Sequence, residues 1–504
     1  MALATLLCRA QLGMEAPLVK VEVDIGNGLP SFGLVGLPDA AVREAKERVR
    51  SALLNCGFEF PARRITINLA PAELPKDGGR FDLAMALGIL AASGQLPAAG
   101  LKGLECYGEL GLGGELRPCG ALLPALLACR DAGHSAIISE GDGAEAALLD
   151  FPGCAQAHQL LDVCAALGGQ QQLALPSRAQ QAEAPAPGPD LSDVVGQVGA
   201  KRALLIAASG NHNLLMVGPP GTGKSMLAKR LPSLLPPLAD GAALETAAIH
   251  SLSGKPRRLG DWRTPPIRAP HHTASAVALV GGGSVPRPGE ISLAHQGVLF
   301  LDELTEYDRK VLDCLREPLE SGEVSISRAA QQANFPARFM LVAATNPCPC
   351  GHWGNPAREC RCSPEQIRRY LGRLSGPFLD RVELQVEVPM LPPGALSGQE
   401  RGQGSAELRA RVGDCRRRQR ARQHCLNGEL EGQALRRHCA LDGELAAWYE
   451  QTLHRLGLSA RVHQRLLKVA RTVADLDGSD RIRRPHLAEA LSYRAMDRLL
   501  ASLA

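Results

Sequence analysis

The sequence predicts a multidomain chain of α/β and α+β class: a mixed α+β front, a doubly wound α/β core and a helical end. Three observations carry this reading. Runs of alternating polarity open the chain, three uninterrupted apolar runs (NLLMV, VLFL and FMLVAAT) lie in its middle, and long segments of helical apolar period close it. Alternation marks half-buried strands, a short unbroken apolar run suits a strand covered on both faces of a parallel sheet, and a 3.6-residue period marks amphipathic helix. At 504 residues the chain also exceeds what one hydrophobic core usually serves.

In chain order, VKVEVDIGNGLPSFGLVG alternates like two strands broken at Gly-Asn-Gly and Pro30. Asp39 then caps a helix whose Val42, Ala45, Val49, Ala52 and Leu53 share one face. RITINLA follows as a strand with Ile65, Ile67 and Leu69 on one side. Residues 170–190, rich in Gln, Ala and Pro without a hydrophobic period, read as a semi-extended linker. Residues 394–405, GALSGQERGQGS, form a second seam. The expected units are therefore 1–169, 191–393 and 394–504. In the last, LRARVGDCRRRQRARQ, LDGELAAWYEQTLHRLG, SARVHQRLLKVARTVADL and RPHLAEALSYRAMDRLLA read as amphipathic helices, the fourth with Pro485 near its first turn.

Composition excludes several function classes. The formal charge of +4, from 56 basic and 52 acidic residues, is too small to imply a polyanion partner by itself, so any basic surface must be local. Aromatic residues make up only 3%, which argues against a single-strand binder built from stacking platforms. Fifteen cysteines without the short secreted context of a disulfide scaffold read as reduced thiols in the cytoplasm. The opening MALATLLCRAQLGMEAPLVK is too weakly apolar for a signal peptide, and no apolar run is long enough to span a membrane.

GPPGTGKS, comprising Gly218, Pro219, Pro220, Gly221, Thr222, Gly223, Lys224 and Ser225, matches G-x-x-x-x-G-K-[ST] in full and stands between the strand NLLMV and the helix SMLAKRL. Its glycines let backbone N–H groups wrap phosphates, Lys224 neutralises the β and γ oxygens of ATP, and Ser225 offers its hydroxyl to Mg²⁺. VLFLDE brings Asp302 to a strand end where it can hold the same metal, with Glu303 beside it to polarise the attacking water. An isolated apolar-Asp-Glu stretch means little; about eighty residues after a P-loop it points to a hydrolase. Asn346, ending LVAATN, can orient that water, although an Asn at a strand end is also ordinary turn chemistry.

The order of GPPGTGKS, VLFLDEL, a hairpin over VSISRAAQQANF, LVAATN and GPFLDRVEL resembles AAA+ ATPases of the magnesium-chelatase and minichromosome-maintenance branch. VALVGGGSVPRPGEISLAHQG, residues 277–297, looks like the insert that interrupts a helix before the Asp-Glu strand in that branch. The resemblance implies that Arg381 in FLDRVEL is an arginine finger reaching a neighbouring subunit's nucleotide, and hence a ring. It likewise implies that Arg461 in LSARVHQR is the second sensor arginine of a helical lid, and that Arg328 near the hairpin tip tracks DNA in a pore. A surface hairpin with a solvated arginine is the competing reading of Arg328, and a merely solvated face that of the two other arginines.

The front unit is similar to the proteolytic domain of Lon in PKDGGRFDLAMALGIL and YGELGLGGELRPCGALLPALLA. Arg80 stands where the nucleophilic serine belongs and Leu123 where the lysine belongs. Arg is no nucleophile and Leu accepts no proton, so peptidase activity is not expected and the unit reads as a ring-assembly or nucleic-acid-binding module. Over essentially its whole length the chain resembles the YifB/ComM family of Mg-chelatase-like proteins. That resemblance implies a homo-hexameric, ATP-dependent DNA helicase that drives branch migration during natural transformation, with single-stranded and branched DNA and recombination proteins as partners.

CPCGHWGNPARECRC places Cys348, Cys350, Cys360 and Cys362 as two Cys-x-Cys pairs. Four thiolates can hold tetrahedral Zn²⁺ if Pro349 and Arg361 sit at bends; the alternative is a reduced loop whose thiols merely pack. Arg416, Arg417, Arg418, Arg420 and Arg422 read either as phosphate contacts or as a soluble helix face. Three functions compete. A DNA-translocating motor is expected, an Mg-chelatase-like ATPase remodelling a protein or metal-insertion partner is the alternative, and a protein remodeller would need an aromatic pore loop that is not identifiable here.

Overall fold

The computed structural model describes residues 2–177, 188–283, 286–327, 332–355, 358–392, 394 and 402–502. In the front unit, β1 (Ala2–Arg9), β2 (Leu18–Gly26), β3 (Ser31–Val35), β4 (Arg64–Ala70) and β5 (Leu104–Cys106) are followed by a separate small pair, β6 (Glu109–Leu110) and β7 (Leu116–Arg117), then by β8 (Ser135–Ser139) and β9 (Cys154–Ala157). Seven of them form one mixed sheet in the order β3-β4-β2-β1-β5-β8-β9. The segment Ala2–Arg9, not singled out as a strand from the sequence, is thus its central strand, antiparallel to β2 and parallel to β5. Helix Ala40–Asn55 starts where Asp39 Oδ1 accepts from the Val42 N–H at 2.7 Å, and its expected apolar face is fully buried.

The core carries β10 (Leu214–Val217), β11 (Ile267–Arg268), a short pair β12 (Gly281–Gly282) and β13 (Arg287–Pro288), and β14 (Val298–Leu301). A hairpin of β15 (Glu323–Ser327) and β16 (Gln332–Pro336), then β17 (Met340–Thr345) and β18 (Leu384–Glu387), complete it. β11, β14, β17, β10 and β18 lie side by side in that order, all parallel. Alternate residues of each strand face opposite ways. Leu214, Met216, Phe300 and Val342 join helix Val198–Gly210 and the helical end in one core. Leu215, Val217, Leu301 and Ala343 join Val324, Ile326, Ala333 and Phe335 of the hairpin in another. Both faces are covered, which is why these strands read as unbroken apolar runs. Short helices Ala276–Val280 and Glu290–Leu293 flank the antiparallel pair β12 and β13 ahead of β14.

The helical end contains Ser405–Gln423, Gly432–His438, Gly443–Arg455, Ala460–Leu476, Arg484–Ser492 and Ala495–Ala501. The last expected helix is therefore two. Its break has a tertiary cause: the chain lies against β18, where the Gln385 N–H donates to the Tyr493 carbonyl at 2.9 Å and Gln385 Oε1 accepts from the Met496 N–H at 3.3 Å.

The expected linker is anchored at both ends, while residues 178–187 lie outside the described residues. The Ala174 carbonyl accepts from the Gln156 N–H at 2.8 Å, and Asp190 Oδ2 accepts from the Ser405 N–H at 3.1 Å, tying the core's start to the helical end. Ala247, Ala248 and Trp262 of the core region pack into the front unit's hydrophobic cluster. No helix among the described residues is long and apolar enough to cross a membrane.

Candidate active site

The carboxyl ends of β10, β14 and β17 adjoin in the sheet, where open α/β sheets bind ligands. After β10 the chain turns through Gly221 and Gly223 at φ 78° and 92°, a region a Cβ resists, and helix Lys224–Arg230 begins. Lys224 Nζ donates to the carbonyls of Gly218 at 2.6 Å and Pro219 at 2.8 Å, and to Asn346 Oδ1 at 3.2 Å. Ser225 Oγ donates to Asp302 Oδ2 at 2.6 Å. Residues from Gly218 to Ser225, Asp302 and Asn346, read from three separate motifs, therefore converge on one cradle.

Glu303 follows Asp302 with φ 51°, a left-handed conformation costly for a residue with a Cβ and commonest at functional sites. Its side chain is 54% exposed, and its carboxylate lies 3.2 Å from His272 Nδ1. Gln197 Nε2 donates to the carbonyls of Thr222 at 3.1 Å and Pro389 at 2.8 Å, bracing the P-loop from outside. Neither His272 nor Gln197 was expected. The available signals were the paired histidines just after β11 and the polar end of DLSDVVGQ.

Burial pushes the Lys224 ammonium down to about 8, against the raising pull of Asp302 and Glu303. A buried cation whose contacts are carbonyls and an amide, beside a hydroxyl–carboxylate pair, is a donor set suited to a nucleoside triphosphate with Mg²⁺.

The two further arginines lie elsewhere. Arg381 precedes β18, and its carbonyl accepts from Asn213 Nδ2 at 2.9 Å just ahead of β10, which places it at the amino ends of the strands. Four residues of β10 separate that end from Gly218, about 13 Å at 3.3 Å per residue. The Arg381 guanidinium is nearly buried, donating to the Pro377 carbonyl at 2.6 Å and to Glu320, just before the hairpin. Burial, with Arg316, Arg465 and Arg461 near it, holds its pKa below the ordinary arginine value. Arg461 is exposed in the first turn of helix Ala460–Leu476, one turn before Arg465, which pairs with Glu383 at 3.8 Å. Arg381 and Arg461 thus lie together on the amino-end side of the core sheet, away from the carboxyl-end cradle.

Arg328 falls within residues 328–331, outside the described residues. The hairpin below it has one buried face, Val324, Ile326, Ala333 and Phe335, and one exposed face that includes Ser325 and Asn334. It seats against the turn joining β1 and β2: a Cβ built on Gly13 would lie 2.9 Å from Ala333 Cβ.

The arginine-rich helix divides: Arg417 and Arg420 stay on its exposed face, whereas three others turn to partners within the protein. Arg416 Nε donates to the Ala208 carbonyl at 2.8 Å, Arg418 NH1 to the Asp475 carbonyl at 3.0 Å, and Arg422 grips the Asp475 carboxylate at 2.6 and 2.9 Å. These three staple the helical end together or to the core, because a guanidinium satisfies buried carbonyls and carboxylates while its stem packs. In the front unit Arg80 is also buried, donating to Gln11 Oε1 at 3.0 Å, and Leu123 is fully buried. Cys348, Cys350, Cys360 and Cys362 converge, with their sulfurs within 4.8 Å of one another.

Three family models match in succession along the chain. Subunit ChlI of Mg-chelatase covers residues 21–141, magnesium chelatase, subunit ChlI, covers 190–396, and the ChlI C-terminal region covers 402–494. Protein YifB of Salmonella typhimurium is 53% identical over 506 residues, spanning 100% of this chain and 99% of its own length. Competence protein ComM of Haemophilus influenzae is 52% identical over 508 residues, with the same coverage. The magnesium-chelatase 38 kDa subunit of Cereibacter sphaeroides is 29% identical over 178 residues, 31% of this chain and 52% of its own.

Proposed function

The chain belongs to the YifB/ComM family of magnesium-chelatase-like proteins, and from that premise we propose that it is an ATP-dependent, ring-forming DNA motor. Lys224 and the P-loop backbone bind the triphosphate. Ser225 and Asp302 would hold Mg²⁺, which would supply charge neutralisation at the phosphates. Glu303 activates water and Asn346 orients it. The observation that carries the ring is the separation of Arg381 and Arg461 from their own cradle. A neighbouring copy presenting its amino-end face to that cradle would supply both arginines in trans, a head-to-tail contact that closes into a ring, a hexamer in this reading.

The motor's track is DNA, contacted by the hairpin tip, and its setting is the recombination of transforming DNA in the cytoplasm. Full-length likeness to a competence protein supports this over metal insertion, since likeness to the 38 kDa chelatase subunit covers less than a third of the chain. On this reading the front unit is a Lon-like scaffold without its dyad, serving ring assembly or nucleic-acid binding. The deciding experiment incubates the purified chain with ATP and a four-way DNA junction. Branch migration that Lys224→Ala abolishes supports the motor; intact hydrolysis with no response to any DNA substrate removes DNA as the track.

A further inference from the structure

The cysteine knuckle takes no part in the hydrolysis described above, yet it touches it. Cys348 Sγ lies 3.4 Å from Cys350 Sγ and 3.7 Å from Cys360 Sγ, and Cys350 Sγ lies 3.5 Å from Cys360 Sγ. Four sulfurs bound to Zn²⁺ at about 2.3 Å stand about 3.8 Å apart at the corners of a tetrahedron. Disulfides would instead bring two pairs to about 2.05 Å. These nearly equal separations match ligands around a common centre.

Backbone donors complete the surroundings that thiolates need. The Trp353 N–H donates to Cys348 Sγ at 3.3 Å and the Cys362 N–H to Cys360 Sγ at 3.4 Å. Among the described residues this is the one group of three or more His, Cys, Asp or Glu side chains that converges in this way. Cys348 is fully buried in the hydrophobic core under β17, so the cluster is fastened to the sheet.

The turn inside the knuckle meets the nucleotide cradle. Gly351 has φ 79°, and a Cβ built on it would stand 2.8 Å from Pro220 Cδ and 3.9 Å from Asn346 Cγ. A bare α-carbon thus packs between the P-loop shoulder and the Asn346 amide. Gly351 directly follows Cys350, so the position of that thiol sets the position of the turn.

We propose that Cys348, Cys350, Cys360 and Cys362 bind one Zn²⁺ as a closed tetrathiolate site, and that the metal-closed knuckle positions Pro220 and Asn346 around the phosphates. Sulfur ligands select a soft tetrahedral cation and leave Mg²⁺ to the oxygen ligands of Ser225 and Asp302. With four protein ligands no position stays open, so the metal holds structure and activates no water. The positioning role rests on the nucleotide assignment; the metal site does not.

The full chain, purified under reducing conditions without chelator, is expected to carry one zinc per chain by mass spectrometry of the metal, and Cys362→Ser to carry less than half of that. Exchange with Co²⁺ tests the unsubstituted chain independently, through the charge-transfer band of tetrahedral cobalt thiolate. Removing zinc should weaken binding of a fluorescent ATP analogue and lower hydrolysis on the order of ten- to a hundredfold, as displaced positioning groups do. Re-addition of zinc should restore both, with the circular dichroism unchanged throughout. A chain with neither zinc nor the cobalt band overturns the site. A zinc-loaded chain whose nucleotide affinity and turnover ignore stripping overturns the positioning role. A zinc-loaded chain that binds no ATP upholds the metal site and overturns the nucleotide assignment together with the positioning role.

Discussion

Lys224 brings a positive charge into a nearly buried position where its contacts are two carbonyls and one amide oxygen. Burial outweighs the attraction of Asp302 and Glu303 and leaves its pKa at about 8. The sign follows from linkage. An unfolded lysine keeps its proton to about 10.4, so between pH 8 and that value folding releases a proton and the nucleotide-free chain gains stability as pH rises. Phosphate favours the protonated form, so binding must take a proton up above pH 8. Affinity for an ATP analogue should therefore fall about tenfold between pH 7 and pH 9, since one unit above its pKa only about a tenth of the lysine is charged. Fluorescence titration reads this directly, and a flat profile would refute the role of burial. At Glu303, Glu303→Gln keeps shape and removes the base. Turnover should drop by about 10² to 10⁴ with ATP binding retained; near-normal turnover would exclude Glu303 as the base.

The hairpin of β15 and β16 draws its buried face from the same core that lines one side of β10 and β17, so its position is tied to the strands that end at Lys224 and Asn346. Phe335 is its fully buried anchor. Phe335→Ala should cost about 3–5 kcal/mol of stability at that site. Thermal unfolding would show the loss, and stimulation of hydrolysis by DNA should fall more than basal hydrolysis; an equal fall in both would mean the hairpin does not couple the two. This element was legible in the sequence because Val324 and Ile326 alternate with serines, and the P-loop because its residues are consecutive. Other features depend on partners distant in the chain. Nothing local marks Ala2–Arg9 as a central strand, and nothing in RPHLAEALSYRAMDRLLA announces that β18 will break it. Nor does any spacing tell that Arg416, Arg418 and Arg422 reach the Ala208 carbonyl and Asp475. Motif resemblance singled out Arg381 and Arg461, but only the sheet's direction shows which end they occupy.

At the scale of the whole molecule, that direction separates a motif's residues by the length of the sheet. On the proposed reading the triphosphate sits at the carboxyl ends of the strands, while Arg381 lies at the amino ends, paired with Glu320. Reaching a phosphate requires another copy and release from that carboxylate. Two defective chains should then repair each other. Arg381→Ala keeps an intact cradle and lacks the finger; Lys224→Ala lacks the cradle's charge and keeps the finger. Each alone should hydrolyse ATP at background rate. In an equal, freely exchanging mixture, a productive interface needs the first chain's cradle against the second chain's arginine. Random head-to-tail assembly supplies that at about one interface in four, so up to about a quarter of normal turnover should return. The recovery per chain should rise with total concentration where rings are incompletely assembled and level off once they are assembled. A mixture that stays inactive while size measurements show mixed rings would mean that Arg381 completes no neighbour's site.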